Sequence, residues 1–270
     1  MTGVQTCALP ILDGQVAVVT SVGLDHQETL GQTITAIAEQ KAGIFKKGCS
    51  AVIGPLPEEA RLVCEQRAAA LGLDFYEYGK DFSFSNGSFK NGDLLLSHVV
   101  LGLQGAYQEE NAALALQAFL LFMKQRGWEI DFSVLLSSLR ETHWAGRLEE
   151  ISPGIYLDGA HNLPALTRLV EFIKGQKGKT CSLLFGALKR KDYSGMLAYL
   201  QETLPEVQVT VTSFAYGESV GQGEAADFEY VTDYREFIES FKREQAADQL
   251  LFITGSLYFI AEVRAYLYRL

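Results

Sequence analysis

At 270 residues the chain exceeds the usual size of one compact domain and reads as two. Hydrophobic residues make up 48% and charged residues 21%, a balance that excludes wholesale disorder. Basic residues number 23 against 33 acidic ones, and the resulting charge of −10, with no Lys/Arg cluster to offset it, argues against nucleic acid as a partner.

Residues 1–11 (MTGVQTCALPI) lack the charged start of a secretory signal and carry no helix or strand period. They read as a cloning or sequence-assembly scar outside the fold. A continuous apolar strand is expected over 16–22, then a helix over 33–45 ended by Lys46, Lys47 and Gly48. A short strand over 51–53 and an amphipathic helix over 58–71 follow. Alternation over 75–96, with turns at Asn86-Gly87 and Asn91-Gly92, predicts a small antiparallel meander. Helices are expected over 109–125 and 131–142. The pattern restarts around 144–151, where a domain boundary is expected. Beyond it strands at 155–157, 181–185, 207–213 and 250–253 alternate with helices at 165–174, 193–200, 234–244 and 256–268. A polar loop over 216–227 interrupts them, its 221–226 stretch read as mobile. The second half is thus expected to be a doubly wound α/β unit. No apolar run reaches the roughly 18 residues of a membrane helix, so no membrane is expected. Four scattered cysteines with no CxxC pair fit a reducing, cytoplasmic compartment.

Generic nucleotide motifs fail. Residues 175–180 (GQKGKT) end like a phosphate-binding loop but lead into a strand, whereas such a loop leads out of one into a helix. Residues 221–226 (GQGEAA) would set a pyrophosphate against Glu224 and Asp227. Better candidates stand just past strand ends, where open α/β sheets hold their ligands. In 23–31 (GLDHQETLG), His26 is either a metal ligand or an exposed turn residue. In 39–44 (EQKAGI), Lys41 at a helix end has a plain reading as dipole compensation. Asp158, His161 and Asn162 fall within five residues of a strand end, as a ligand constellation or as a helix cap with a turn. Ser256, in 254–258 (TGSLY), suits an anion at a helix start, or simply caps it.

Taken in order, the wording resembles the folylpolyglutamate synthase / dihydrofolate synthase family of the Mur ligase superfamily, over 16–270. The carrying stretches are 24–31 (LDHQETLG), 39–46 (EQKAGIFK), 108–113 (QEENAA) and 144–147 (WAGR). They continue with 157–162 (LDGAHN), 186–192 (GALKRKD) and 255–258 (GSLY). The resemblance implies a remnant of a P-loop-type Mur ligase ATPase domain over 12–146 and a C-terminal, Rossmann-like glutamate-ligase domain over 147–270. It implies ATP and Mg²⁺ as cofactors. The substrates would be L-glutamate and a folate, tetrahydrofolate or dihydropteroate, joined through an acyl phosphate by a monomer. His26 would then ligate Mg²⁺, and Lys41 would be carbamylated, giving a carboxylate-like group beside the metal. Asn111, Arg147 and Asp158 would contact ATP, His161 and Ser256 would seat the glutamate, and 144–150 would be the hinge. Lys41 and His161 would act nearest the chemistry.

This sequence departs from the family in placing Leu163 before Pro164, and in having no GxxxxGK[ST] before the first strand. The resemblance therefore implies an N-terminally truncated chain that is inactive alone. Two alternatives stand beside it: another Mur-type amino-acid ligase, and a non-catalytic glutamate- or nucleotide-binding remnant.

Overall fold

A computed structural model describes residues 14–24, 30–225 and 227–268; the segment read as a scar lies outside them. The chain divides into two compact units. The first runs to Gly102 and resumes over Ala106–Thr142, and the second comprises Leu103–Gly105 and His143–Leu270. No helix among the described residues is long and apolar enough to cross a membrane.

In the first unit β1 (Val16–Val19), β2 (Ser50–Ile53) and β3 (Phe75–Glu77) form a parallel sheet in that order. Both faces are covered, which is why the first two strands are apolar at every position but Ser50. Ala17, Val19, Ala51 and Ile53 face α1 (Ile34–Ala42) and α2 (Glu58–Leu71), while Val16, Val18 and Val52 face α3 (Tyr107–Arg126). Thr33 caps α1 by accepting the Ala36 amide at 3.1 Å, and Gly72, in the left-handed region at φ 64°, ends α2. The expected strand over 16–22 is shorter than read, because pairing with β2 stops at Val19–Ile53.

The expected meander loses its first strand. β3 pairs in parallel with β2, since α2 carries the chain back over the sheet. Only β4 (Phe82–Ser85), β5 (Ser88–Asn91) and β6 (Leu94–Leu96) run antiparallel. Asn86 and Gly87, at φ 50° and 69°, supply the paired left-handed residues of the tight turn between β4 and β5. Phe82, Phe84, Phe89 and Leu96 then pack with α3, and Asp131 caps α4 (Phe132–Glu141) through the Ser133 and Val134 amides.

One core position breaks the pattern. Gln117, in the middle of α3, is fully buried, and neither its amide oxygen nor its nitrogen has a hydrogen-bond partner among the described residues. An unsatisfied buried polar group costs about 1–3 kcal/mol. Gln117→Leu is therefore expected to stabilise the chain by about that amount. Urea denaturation would show a higher midpoint at unchanged slope; a lower midpoint would refute the expectation.

The second unit holds a six-stranded sheet in the order β11-β10-β9-β12-β8-β7. Its strands are β7 (Glu149–Ser152), β8 (Ile155–Leu157), β9 (Thr180–Phe185), β10 (Gln208–Thr212), β11 (Glu229–Val231) and β12 (Gln249–Thr254). Only the β7–β8 pair is antiparallel. Helices α5 (Leu163–Lys174), α6 (Tyr193–Thr203), α7 (Tyr234–Glu244) and α8 (Leu257–Leu267) intervene or follow. Ile155, Leu157, Leu184, Leu251 and Ile253 pack with Ile238 of α7 and with Phe259, Ile260 and Val263 of α8. On the alternate positions, Tyr156 stacks on Phe252 at 5.2 Å, and Phe172 of α5 meets both rings edge-on.

Edge strands β7 and β11 escaped the sequence reading because they are short and half polar. The polar loop that holds 221–226, the stretch read as mobile, is instead pinned at Glu218, Val220 and Glu224. Val220 is fully buried and donates its amide to Ala187, Lys189 donates its own to Glu218, and the Lys189 ammonium meets Glu224 at 2.6 Å.

Candidate functional site

In the second unit the loops that leave β8, β12 and β9, three neighbouring strands, meet at the strands' C-terminal ends. The carbonyl of Ala160 accepts two hydrogen bonds at the end of β12, from the Thr254 hydroxyl at 3.2 Å and from the amide of Gly255, the next residue, at 3.0 Å. Gly255 sits at φ 112°, and a Cβ there would lie 2.7 Å from the carbonyl oxygen of Gly186, in the loop after β9. Any side chain at this position is both strained and blocked by backbone. Gly255→Ala is expected to cost about 2–5 kcal/mol, the sum of backbone strain and overpacking. Thermal unfolding checks it, and a loss below about 1 kcal/mol would show that the loops can part.

Asp158 lies at the end of β8 and is 6% exposed. One carboxylate oxygen accepts the Ala160 amide and the other the Leu148 amide, both at 3.0 Å. Burial pushes the carboxyl above the ordinary aspartate range, while those two amides and the charges of Arg147 and His161 pull it back. Its raised folded pKa means that the folded chain holds the proton more tightly than the unfolded one. The group therefore favours folding at acid pH, and that contribution fades as pH rises through the folded pKa. Asp158→Asn is expected to lose one of the two amide bonds, about 1–3 kcal/mol. The wild-type advantage should be largest at low pH and shrink as pH climbs above about 4, the ordinary aspartate value. Denaturation across pH checks the sign: an advantage that grows with pH would overturn it.

His161 points Nδ1 at the carbonyl of Gly159, 2.8 Å away. A carbonyl only accepts, so Nδ1 carries the proton, and in the neutral ring Nε2 presents a lone pair. Asn162 caps α5 by accepting the Ala165 amide at 3.0 Å. Ser256 is buried and caps α8, accepting the Tyr258 amide at 3.2 Å. Its hydroxyl proton is left for another acceptor. Arg147 is exposed, in a turn between the left-handed residues Gly146 and Leu148, at φ 66° and 46°. The second unit thus brings Arg147, Asp158, His161 and Ser256 onto adjoining loops.

The remaining candidates belong to the first unit. Lys41, in the last turn of α1, donates from Nζ to the Ser21 carbonyl at 2.8 Å. Asn111, in α3, donates from its side-chain amide to Gln108 Oε1 at 2.9 Å. His26 lies outside the described residues. Among those described, no group of three or more His, Cys, Asp or Glu is arranged to hold a metal ion.

Sequence reasoning missed Leu148, whose left-handed backbone is stitched to Asp158, and the pair Glu149–Arg264 beside it. It also missed Tyr216 and Tyr258, whose rings stack at 4.5 Å next to Ser256. Residues 257, 260 and 264 recur at helical spacing, a signal that marks one face of α8 without saying what it covers.

No family model matches the sequence. Individual relatives do. A folylpolyglutamate synthase from Lacticaseibacillus casei is 33% identical over 97% of this chain and 64% of its own length. The homologues of this chain are folylpolyglutamate synthases. A second, the dihydrofolate synthase/folylpolyglutamate synthase of Bacillus subtilis, is 29% identical over 94% of this chain and 63% of that protein. A solved folylpolyglutamate synthase complex with AMPPCP and folate superposes with a TM-score of 0.79 at 31% identity, over 95% of this chain and 62% of the other. The chain therefore spans a little under two thirds of the folylpolyglutamate synthases it matches, and its α/β fold is theirs.

Proposed function

We propose that this chain belongs to a ligase that joins L-glutamate to the γ-carboxylate of a folate at the expense of ATP. The observation that carries the reading is the joining of the Arg147, Asp158, His161 and Ser256 loops at one sheet edge, in a chain whose homologues are folylpolyglutamate synthases. Transfer of the ATP γ-phosphoryl group to the folate carboxylate gives an acyl phosphate and ADP. The glutamate amine then attacks the acyl carbon, and phosphate leaves as the amide forms. Tetrahydrofolate is the acceptor; dihydropteroate as a second acceptor is supported by the double name of the Bacillus subtilis relative.

Within the second unit, Arg147 offers an exposed guanidinium whose planar fork suits a phosphate. The His161 ring, tethered through Nδ1, offers Nε2 to the incoming glutamate, and the Ser256 hydroxyl at the head of α8 suits a carboxylate. Asp158 fixes the loops on which Arg147 and His161 stand. In the first unit, Lys41 and Asn111 are assigned to the nucleotide side by resemblance. Magnesium is the expected companion of ATP and prefers oxygen ligands. Among the described residues no cluster of three or more His, Cys, Asp or Glu forms such a set, and Lys41 Nζ lies 2.8 Å from the Ser21 carbonyl. Free, buried Cys49 and Cys64 support a cytoplasmic setting.

The test is calorimetric titration of the purified chain with L-glutamate and with AMPPCP. His161→Ala is expected to weaken glutamate binding at least tenfold, and Arg147→Ala to weaken AMPPCP binding at least tenfold, with circular dichroism unchanged. In a protein extended to the full length of its folylpolyglutamate synthase relatives, label from radioactive glutamate should enter tetrahydrofolate. Entry into a muramoyl-peptide precursor instead would shift the assignment to another Mur-type ligase.

A further inference from the structure

The family resemblance implies a hinge over 144–150, and within the second unit this stretch is held in detail. The Gly159 amide donates to the Gly146 carbonyl at 2.7 Å, the Leu148 amide to Asp158 at 3.0 Å and the Gly146 amide to Glu149 Oε2 at 2.8 Å. Two successive left-handed sites, Gly146 and Leu148, flank Arg147, and left-handed backbone is costly at a leucine. Such a turn persists only where its surroundings over-determine it.

Those surroundings come from one face of α8. Residues 257, 260 and 264 are spaced by three and four, so their side chains line up along the helix. Leu257 lies against Gly159, where an added Cβ would meet its Cδ2 at 2.5 Å. One turn on, Ile260 lies against Gly146, where an added Cβ would meet its Cγ2 at 2.8 Å. A further turn on, Arg264 Nε lies 3.0 Å from both carboxylate oxygens of Glu149. Tyr268, the next residue on this face, puts its hydroxyl 3.4 Å from Glu149 Oε1, and the Arg264 guanidinium lies over its ring at 4.5 Å. The Glu149 side chain is 15% exposed and that of Arg264 35%, so the pair is shielded beyond an ordinary surface ion pair. Glu149 uses Oε2 twice, for Arg264 and for the Gly146 amide, and so couples the helix directly to the turn.

We propose that the Glu149–Arg264 pair is a latch that sets the conformation of the Arg147 turn, which makes Arg264 a positioning residue for the guanidinium that meets the nucleotide. The latch rests on the nucleotide-side reading of Arg147 for its purpose, but its existence is measurable without any nucleotide. Leu257 and Ile260 supply shape, and the ion pair supplies direction.

The experiment uses the full chain carrying Trp128→Phe, which leaves Trp144, 68% exposed in the same turn, as the one fluorophore of its kind. Amide exchange by nuclear magnetic resonance and Trp144 anisotropy are measured for the parent, Arg264→Gln, Glu149→Gln and Arg264→Lys. Expected are a tenfold or greater rise in exchange at Gly146 and Leu148 and a fall in Trp144 anisotropy for the two glutamine variants. The sheet amides of Leu183 and Leu251 should exchange as in the parent. Arg264→Lys should restore part of the protection, because an ammonium keeps the charge but not the planar fork. Unchanged exchange at Gly146 and Leu148 would overturn the latch. A parallel rise at Leu183 and Leu251 would also overturn it, by making the pair a general stability element. Titration of Arg147→Ala with AMPPCP reports separately on the nucleotide reading: normal affinity there would refute that reading and leave the exchange result standing.

Discussion

The carbonyl of Ala160 is the point on which the second unit's site depends. It takes a hydroxyl from the last residue of β12 and a backbone amide from the loop that follows, which ties the loop after β8 to the end of β12 in a buried corner. A backbone carbonyl has two lone pairs, and here both are used. Gly255 brings the third loop into contact, since its bare Cα faces the Gly186 carbonyl. His161 and Ser256 follow directly from these joints, one residue after Ala160 and one after Gly255. Their relative placement is set by backbone and not by side-chain packing, which tolerates far more adjustment.

α8 extends this organisation to both flanks. Its Leu257–Ile260–Arg264 face governs the turn before β7. From another side, Glu262 accepts the Ala215 amide at 3.0 Å and the Tyr234 hydroxyl at 2.9 Å, which holds the loop after β10. That loop carries Tyr216 to its stack on Tyr258. A single helix whose first turn lies at the sheet edge therefore fixes loops that are far apart in the chain. The network is charged, but its carboxylates bind backbone amides as well as cations, and such bonds hold at ionic strengths that screen exposed pairs.

Much of this was legible in the sequence. Apolar runs bounded by glycine, and helices introduced by Thr33, Asp131, Asn162 and Ser256, gave the alternation of elements, because cap chemistry and burial are local. The parallel partner of β3 was not legible: its alternation fits either sheet, and only the crossover through α2 decides. The site residues stood out as polar groups at strand ends, yet their states did not. Nothing local shows that both Asp158 oxygens are taken up by amides, or that Ser256 is buried. Leu148 was invisible for a plainer reason, since a leucine carries no sign of left-handed backbone. Glu149 and Arg264 lie 115 residues apart, and pairing at that distance is a property of the fold alone.

The strand order bears on how the molecule is made. β12, the latest in sequence among the described strands, is inserted between β8 and β9, which leave the ribosome long before it. Until it arrives those two strands have no common neighbour, and their inner edges stand unpaired with both faces apolar. The nascent second unit is then a set of βα pieces with a vacant central slot, a state suited to chaperone capture or to pairing with the wrong edge. Closure of the slot simultaneously completes the sheet, seats α8 and creates the corner at Ala160. Competence for ligand therefore arrives in one step, when β12 enters the sheet, and not by gradual assembly of the loops.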